Sequence, residues 1–224
     1  MIDPHRNYWN EQQQKLKQAL QDPAEHQQAV DLFLSQHTIV HAAQVSQKGL
    51  WSIEDEVWEG LSDAMVRRVP SGFPHSIAWM LWHTARCEDI AFNLLVAGGD
   101  QVLIRGGWRE KMNIEVRDTG NTMSEEVLAR FNANIFISAL REYRMEVARR
   151  TREIVQALQP GGFQQKVLPE RAARIIPEGA VVEQARWLAD YWASRTIGGL
   201  MLMPGTRHHM THLNEALRVK KKGI

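Results

Sequence analysis

The chain has 224 residues, 44% of them hydrophobic and 24% charged, with 27 basic against 26 acidic side chains. That size suits one domain, and a net charge of +1 excludes a sequence-independent nucleic-acid binder, which carries a basic surplus. Cys87 is the one cysteine, so no intrachain disulfide forms, and no apolar run approaches the roughly 20 residues of a membrane span.

The start MIDPHRNYWNEQQQ lacks the apolar core of a secretory signal, so a cytoplasmic protein with neither membrane nor nucleic-acid partners is expected. Eight tryptophans suggest aromatic packing between helices, and a homodimer is expected because they exceed the needs of one small core.

Residues 1–22 read as a peripheral N-terminal segment with scattered apolar positions (Tyr8, Trp9, Leu16, Leu20). Asp22-Pro23 is a helix start, an N-cap residue followed by proline at the first helical position. Apolar residues then recur at helical spacing from Ala29 to Val45, with His37 and His41 four apart on the same inward stripe, and Gly49 ends the helix. Ser52-Ile-Glu-Asp55 resembles a capping box opening a short helix. Val69 to Pro74 is a breaker cluster.

The stretch His75–Ala97 organises the rest. Ile77 to Trp82 is apolar on every side of a helix, the pattern of an element buried all round, yet its centre carries His83, Arg86, Glu88 and Asp89. Charged residues are rarely buried unless paired, so these four either surface at one edge or form a polar site inside the fold. Gly98-Gly99 stops the helix. Residues 100–121 read as a long irregular connection, with a trace of alternation at Asn113–Arg117.

Thr122-Met-Ser-Glu125 reads as a second capping box, and the helix it begins runs to about Leu158, where Pro160-Gly-Gly162 ends it. A second irregular connection follows. Pro177-Glu178 opens a helix through Leu200, Pro204-Gly205 breaks or kinks it, and a C-terminal helical extension covers 204–224 with His208, His209, His212 and Glu215. The expected fold is all-α: a single four-helix bundle over 1–224, with long crossover connections, extra short helices, and main helices at about 24–47, 75–97, 123–158 and 178–202.

His208, His212 and Glu215 share one helical face. An H-x-x-x-H pair presents two imidazoles to one metal, and His83 is the natural third ligand, with His41 the fourth member of the set. His37 and His41 are a second pair that can supply a ligand instead. Neutral imidazoles suit zinc, nickel or iron alike. Glu88 and Asp89 are candidates to orient the imidazoles or to pair Arg195 or Arg207, and Arg86 or Arg207 to hold an anionic substrate. Cys87 one turn from His83 reads as a buried, inert thiol. No P-loop, dinucleotide fingerprint or nucleophile elbow occurs.

The run SIAWMLWHTARCEDIAFNLL resembles the second helix of the DinB-like superfamily, four-helix bundles with a metal site, and His83 falls on that family's first ligand position. The resemblance spans about Pro23 to Leu217. It implies a metal-binding bundle, in a family whose members include metal-dependent thiol transferases and a maleylpyruvate isomerase. The family's other two ligands form H-x-x-x-H in helix four, and in this alignment Trp192 and Thr196 take those places. The site is then either rebuilt from His83 with His208, His212 or His41, or lost. Two functions follow: a divalent-metal-dependent transferase or hydrolase acting on a small molecule, with a low-molecular-weight thiol as a candidate co-substrate, or a non-catalytic bundle with structural histidines.

Overall fold

A computed structural model describes residues 4–46 and 51–223. The chain is helical throughout, and its one β-contact among the described residues is an isolated bridge between Lys166 and Thr196. None of the described helices is long and apolar enough to cross a membrane.

In chain order, α1 is Pro4–Ala19, α2 His26–Val40, α3 Ala43–Ser46, α4 Ile53–Trp58 and α5 Asp63–Arg67. α6 is Ile77–Asp89 and widens into π turns over Ile90–Val96. α7 (Val102–Arg105) and α8 (Trp108–Met112) interrupt the first connection. α9 is Glu125–Asn134, α10 Ile137–Ala157, α11 Pro169–Ala172 and α12 Arg186–Ala193. α13 (Ile197–Leu202) passes through a π segment, Met203–Arg207, into α14 (His208–Lys221).

Local chemistry sets most boundaries. The Asp22 carboxylate accepts from the Ala24 backbone N–H at 2.9 Å, and the Ser52 hydroxyl from Asp55 N–H at 3.0 Å, as the capping pattern requires. The expected second capping box shifts by two residues: Ser124, not Thr122, caps α9 through Val127 N–H. The helix expected over 24–47 ends at Val40, because His41 is extended (φ −125°, ψ 157°). Its expected stop at Gly49 lies outside the described residues. The helix expected over 123–158 is broken at Ile135–Phe136, where Phe136 N–H donates to the Met112 carbonyl. No strand forms at Asn113–Arg117.

The fourth helix is corrected most. Pro204-Gly205 neither breaks the helix nor reverses the chain. The missing proline N–H is absorbed by π turns, and the rod runs from Ile197 to Lys221. The segment expected as 178–202 is divided instead, with Thr196 capping α13 through Gly199 N–H at 3.1 Å.

α6 is the axis: every residue from Ile77 to Val96 is buried. Two apolar clusters pack around it. One holds Ile77–Trp82 and Ala85 with Val40, Leu140, Tyr143, Val147, Leu213 and Val219. The other holds Cys87 and Ile90–Phe92 with Phe33, Ile154, Val155, Leu200 and Met201. Passing from one cluster to the other, α6 and α10 run in the same sense, while α2 and the α13–α14 rod run against them. A parallel α6–α10 pair needs a long crossover, which residues 97–136 supply. Between the apolar halves lies a polar layer, to which all four long helices contribute.

The tryptophan surplus goes largely into the chain's own interior. Trp9, Trp58, Trp79, Trp82, Trp108 and Trp192 are buried, whereas Trp51 and Trp187 are exposed. α1 is less peripheral than expected: Leu16 and Ala19 are fully buried, and Gln13 bonds the Gln36 and Thr206 side chains.

Candidate metal centre

The polar layer contains two histidine clusters, back to back. The first is built on His83. Its Nδ1 lies 2.6 Å from the Thr119 carbonyl oxygen, an acceptor only, so Nδ1 carries the proton and Nε2 keeps its lone pair. Trp79 stacks on the ring at 4.5 Å between centroids. The Thr119 carbonyl is aimed by a turn in which Asp118 accepts from Gly120 N–H at 2.7 Å. Gly120 has φ +75°, and a Cβ there would lie 2.6 Å from the Trp82 ring, so glycine is required.

The other two imidazoles come from α14. Ring centroids are 4.9 Å apart for His83–His208, 5.3 Å for His83–His212 and 4.9 Å for His208–His212. His212 Nδ1 meets Glu215 Oε2 at 3.1 Å, which again leaves Nε2 free. The structure therefore brings together the three histidines expected to converge. Cys87 joins them: Sγ is 3.8 Å from His83 Nε2, and ligand atoms of His83, Cys87 and His208 all lie within 4.8 Å of one another.

Burial lowers the basicity of all three imidazoles, taking His83 to about 3 against the Thr119 hydrogen bond that favours its charged form. Neutral imidazole is the ligand form. The Cys87 thiol is pushed up to about 12 by burial, against the pull of Arg86. Without a cation it is inert, as expected. His83, Cys87 and His208 border a cavity of about 290 Å³ whose other walls include Trp187, Tyr191 and Trp192.

His41 does not belong to this set. With His37 on α2 and His209 on α14 it surrounds Glu88 instead. His37 Nε2 lies 2.9 Å from Glu88 Oε1; His41 Nε2 and His209 Nε2 lie 2.9 Å and 2.6 Å from Oε2. All four side chains are at most 1% exposed. Burial again keeps the imidazoles neutral, taking His209 to about 4 although Glu88 opposes this. Beyond this cluster Glu54 pairs with Arg144 and stands 3.8 Å from His41.

The remaining candidates have structural duties. Arg86 spends all its donors inside the fold: Nε and Nη2 on the Arg117 carbonyl, Nη2 also on Gln101, and Nη1 on Asp89 and Tyr143. No N–H remains for an anionic substrate. Asp89 accepts from Val102 and Leu103 N–H at 2.8 and 2.9 Å, and from Asn93 and Tyr143. It anchors the crossover to α6 and orients no imidazole. Arg207 is exposed. Neither Glu88 nor Asp89 pairs Arg195 or Arg207. His209, Glu54 and Arg144 were not legible as site residues, although adjacent residues such as His208 and His209 must face different sides of a helix.

No curated protein matches the chain. A family model described as the DinB superfamily matches residues 49–216, and its span includes His208 and His212, which the sequence had set in an extension beyond the fourth helix. Trp192 instead lines the cavity and Thr196 caps α13. With this match over well over half its length, an all-α bundle around α6 and histidine groups able to bind a metal, the chain belongs to the DinB superfamily.

Proposed function

We propose that His83, His208 and His212 hold one divalent cation, and that the protein is a metal-dependent transferase or hydrolase acting on a small, largely apolar molecule. The observation that carries this is the pair of Nδ1 contacts, to the Thr119 carbonyl and the Glu215 carboxylate. Metal-bound histidines are oriented through their other ring nitrogen in this manner, and both contacts leave Nε2 free. When bound, a divalent cation supplies Lewis-acid activation of a thiol or water at neutral pH.

The chain's own residues define what enters. Trp187, Leu188, Tyr191 and Trp192 give the cavity an aromatic and aliphatic wall, with Asn121 as a polar group at its edge. A ligand with an apolar body fits such a wall. With Arg86 saturated, recognition of an anion is not part of this reading. Cys87, next to His83, is a reserve ligand that becomes a thiolate only beside a cation.

The test is the metal content of untagged protein, wild type beside His83→Ala/His212→Ala. The double variant is expected to lose about one equivalent while keeping its helical circular dichroism. Equal contents would refute the site, and a wild type without bound metal would favour the alternative, a non-catalytic bundle with structural histidines.

A further inference from the structure

We propose that Glu88, His37, His41 and His209 form a second, closed site for a divalent cation of the zinc type, separate from the cavity site. Three helices meet there: α2 gives His37 and, at its end, His41; α6 gives Glu88; α14 gives His209.

The contacts are close but are not, for the most part, hydrogen bonds. His37 Nε2 bonds Glu88 Oε1. The other five ring nitrogens of the three histidines, and Glu88 Oε2 itself, have no hydrogen-bond partner among the described residues. Yet the Nε2 atoms of His41 and His209 lie within 2.9 Å of that oxygen. An N–H at such a distance aims at its acceptor when the contact is a hydrogen bond. Donor atoms gathered this tightly without that aim need only small outward shifts to surround one ion, where bonds of about 2.0–2.1 Å at tetrahedral angles hold neighbouring donors about 3.3 Å apart. Ligand atoms of His37, His41 and Glu88 all lie within 4.8 Å of one another.

Charge points the same way. Glu88 is fully buried and no arginine or lysine among the described residues bonds its carboxylate, and a buried carboxylate without a cationic partner is one that proteins avoid. Arg144 does not serve it, because its guanidinium is committed to Glu54, the Leu81 carbonyl and Thr84. Arg152 faces the Leu34 carbonyl and the Thr38 hydroxyl. A divalent cation balances Glu88 and satisfies the imidazoles together. Three imidazoles and one carboxylate suit zinc, and four buried protein ligands make a closed structural site. Its role is to pin α2 and α14 to α6, so that His208, next to His209, is held at the cavity.

The experiment uses the full chain, untagged and expressed with added zinc. His83→Ala/His212→Ala removes the cavity site and leaves this cluster intact; His212→Ala alone replaces it if the double variant does not fold. After gel filtration, the double variant is expected to keep about one zinc per chain. Adding Glu88→Gln, or His41→Ala where that fails to fold, is expected to bring it near zero and to lower the melting temperature. A folded double variant without zinc, or with zinc indifferent to both added substitutions, overturns the proposal. Wild type with one zinc that the double variant loses leaves the cavity site standing and ends this one. One zinc that the double variant keeps does the reverse.

Discussion

Arg144 grips Glu54 with two parallel hydrogen bonds, Nε to Oε1 at 2.8 Å and Nη2 to Oε2 at 2.7 Å. Both side chains are essentially inaccessible, so neither charge has water to fall back on. Breaking a buried pair by removing one partner costs about 3–5 kcal/mol. Arg144→Met should therefore lower unfolding stability by that order in urea titrations. A loss below about 1 kcal/mol, the range of an exposed pair, would show that Glu54 is solvated.

Glu215 holds His212 through Nδ1. Removing such an orienting partner typically weakens metal affinity about 10–100-fold. Glu215→Ala should show this in competition with a chromophoric chelator, with its helical content unchanged. Wild-type affinity in the variant would remove Glu215 from the site.

Cys87, held at about 12, carries almost no thiolate at pH 8, whereas a free thiol with a pKa of about 8.5 carries a substantial fraction. Iodoacetamide should label the folded, metal-free protein at least about 100-fold more slowly than the urea-unfolded chain. Because the chain has one cysteine, intact mass reads the result without ambiguity. Comparable rates in both states would contradict the buried thiol.

Gly120→Ala forces a left-handed backbone (φ +75°) on alanine and drives its Cβ towards Trp82 and Met123. Strain of this kind costs about 1–3 kcal/mol. The carbonyl displaced with it is that of Thr119, so zinc affinity at the cavity should fall alongside the melting temperature. A variant that loses stability and keeps its affinity would separate the turn from the site.

Acid should destabilise the metal-free protein in two stages. His209 at about 4 and His83 at about 3 lie below the ordinary 6.5, so the unfolded chain takes up protons first. Stability is complete above about 6.5 and falls as the pH drops from there. For Glu54, burial favours the neutral form, but Arg144 outweighs it and holds the carboxyl at about 2 against 4.5. Its contribution is present above 4.5 and is lost as the pH falls towards 2. Urea midpoints in chelator should decline between pH 7 and pH 5; constancy over that range would mean that the histidines take up protons in the fold as they do in the unfolded chain.

The helical class and the buried character of α6 were legible because each rests on periodicity within one segment; the meeting of His83, His208 and His212 was legible from the shared helix face of the last two and from the ligand position on which His83 falls in the resemblance. What escaped depended on partners far along the chain. Arg86 looked free until Arg117, Gln101 and Tyr143 were brought to it. His41 stays beside His37, as their spacing suggested, but it was grouped with the wrong cluster because the sequence does not reveal that Glu88 on α6 faces that pair. Pro204 read as a break or a kink, since sequence alone does not reveal that a helix will widen into π turns to accommodate it.

That widening sets the angular phase of everything after it. Met203–Arg207 packs Gly205 against Phe33 and Phe92, where a Cβ would come within 3.0 Å of both rings, so the rod cannot rotate to compensate for a change in length. Successive α-helical residues diverge by about 100°, which is why His208 and His209 address different neighbours. Deleting or inserting one residue between Leu202 and His208 would therefore hand each imidazole its neighbour's assignment. The loop-free fourth helix works as an indexing shaft, and its sequence length between Gly205 and His208 is as constrained as the identity of the histidines themselves.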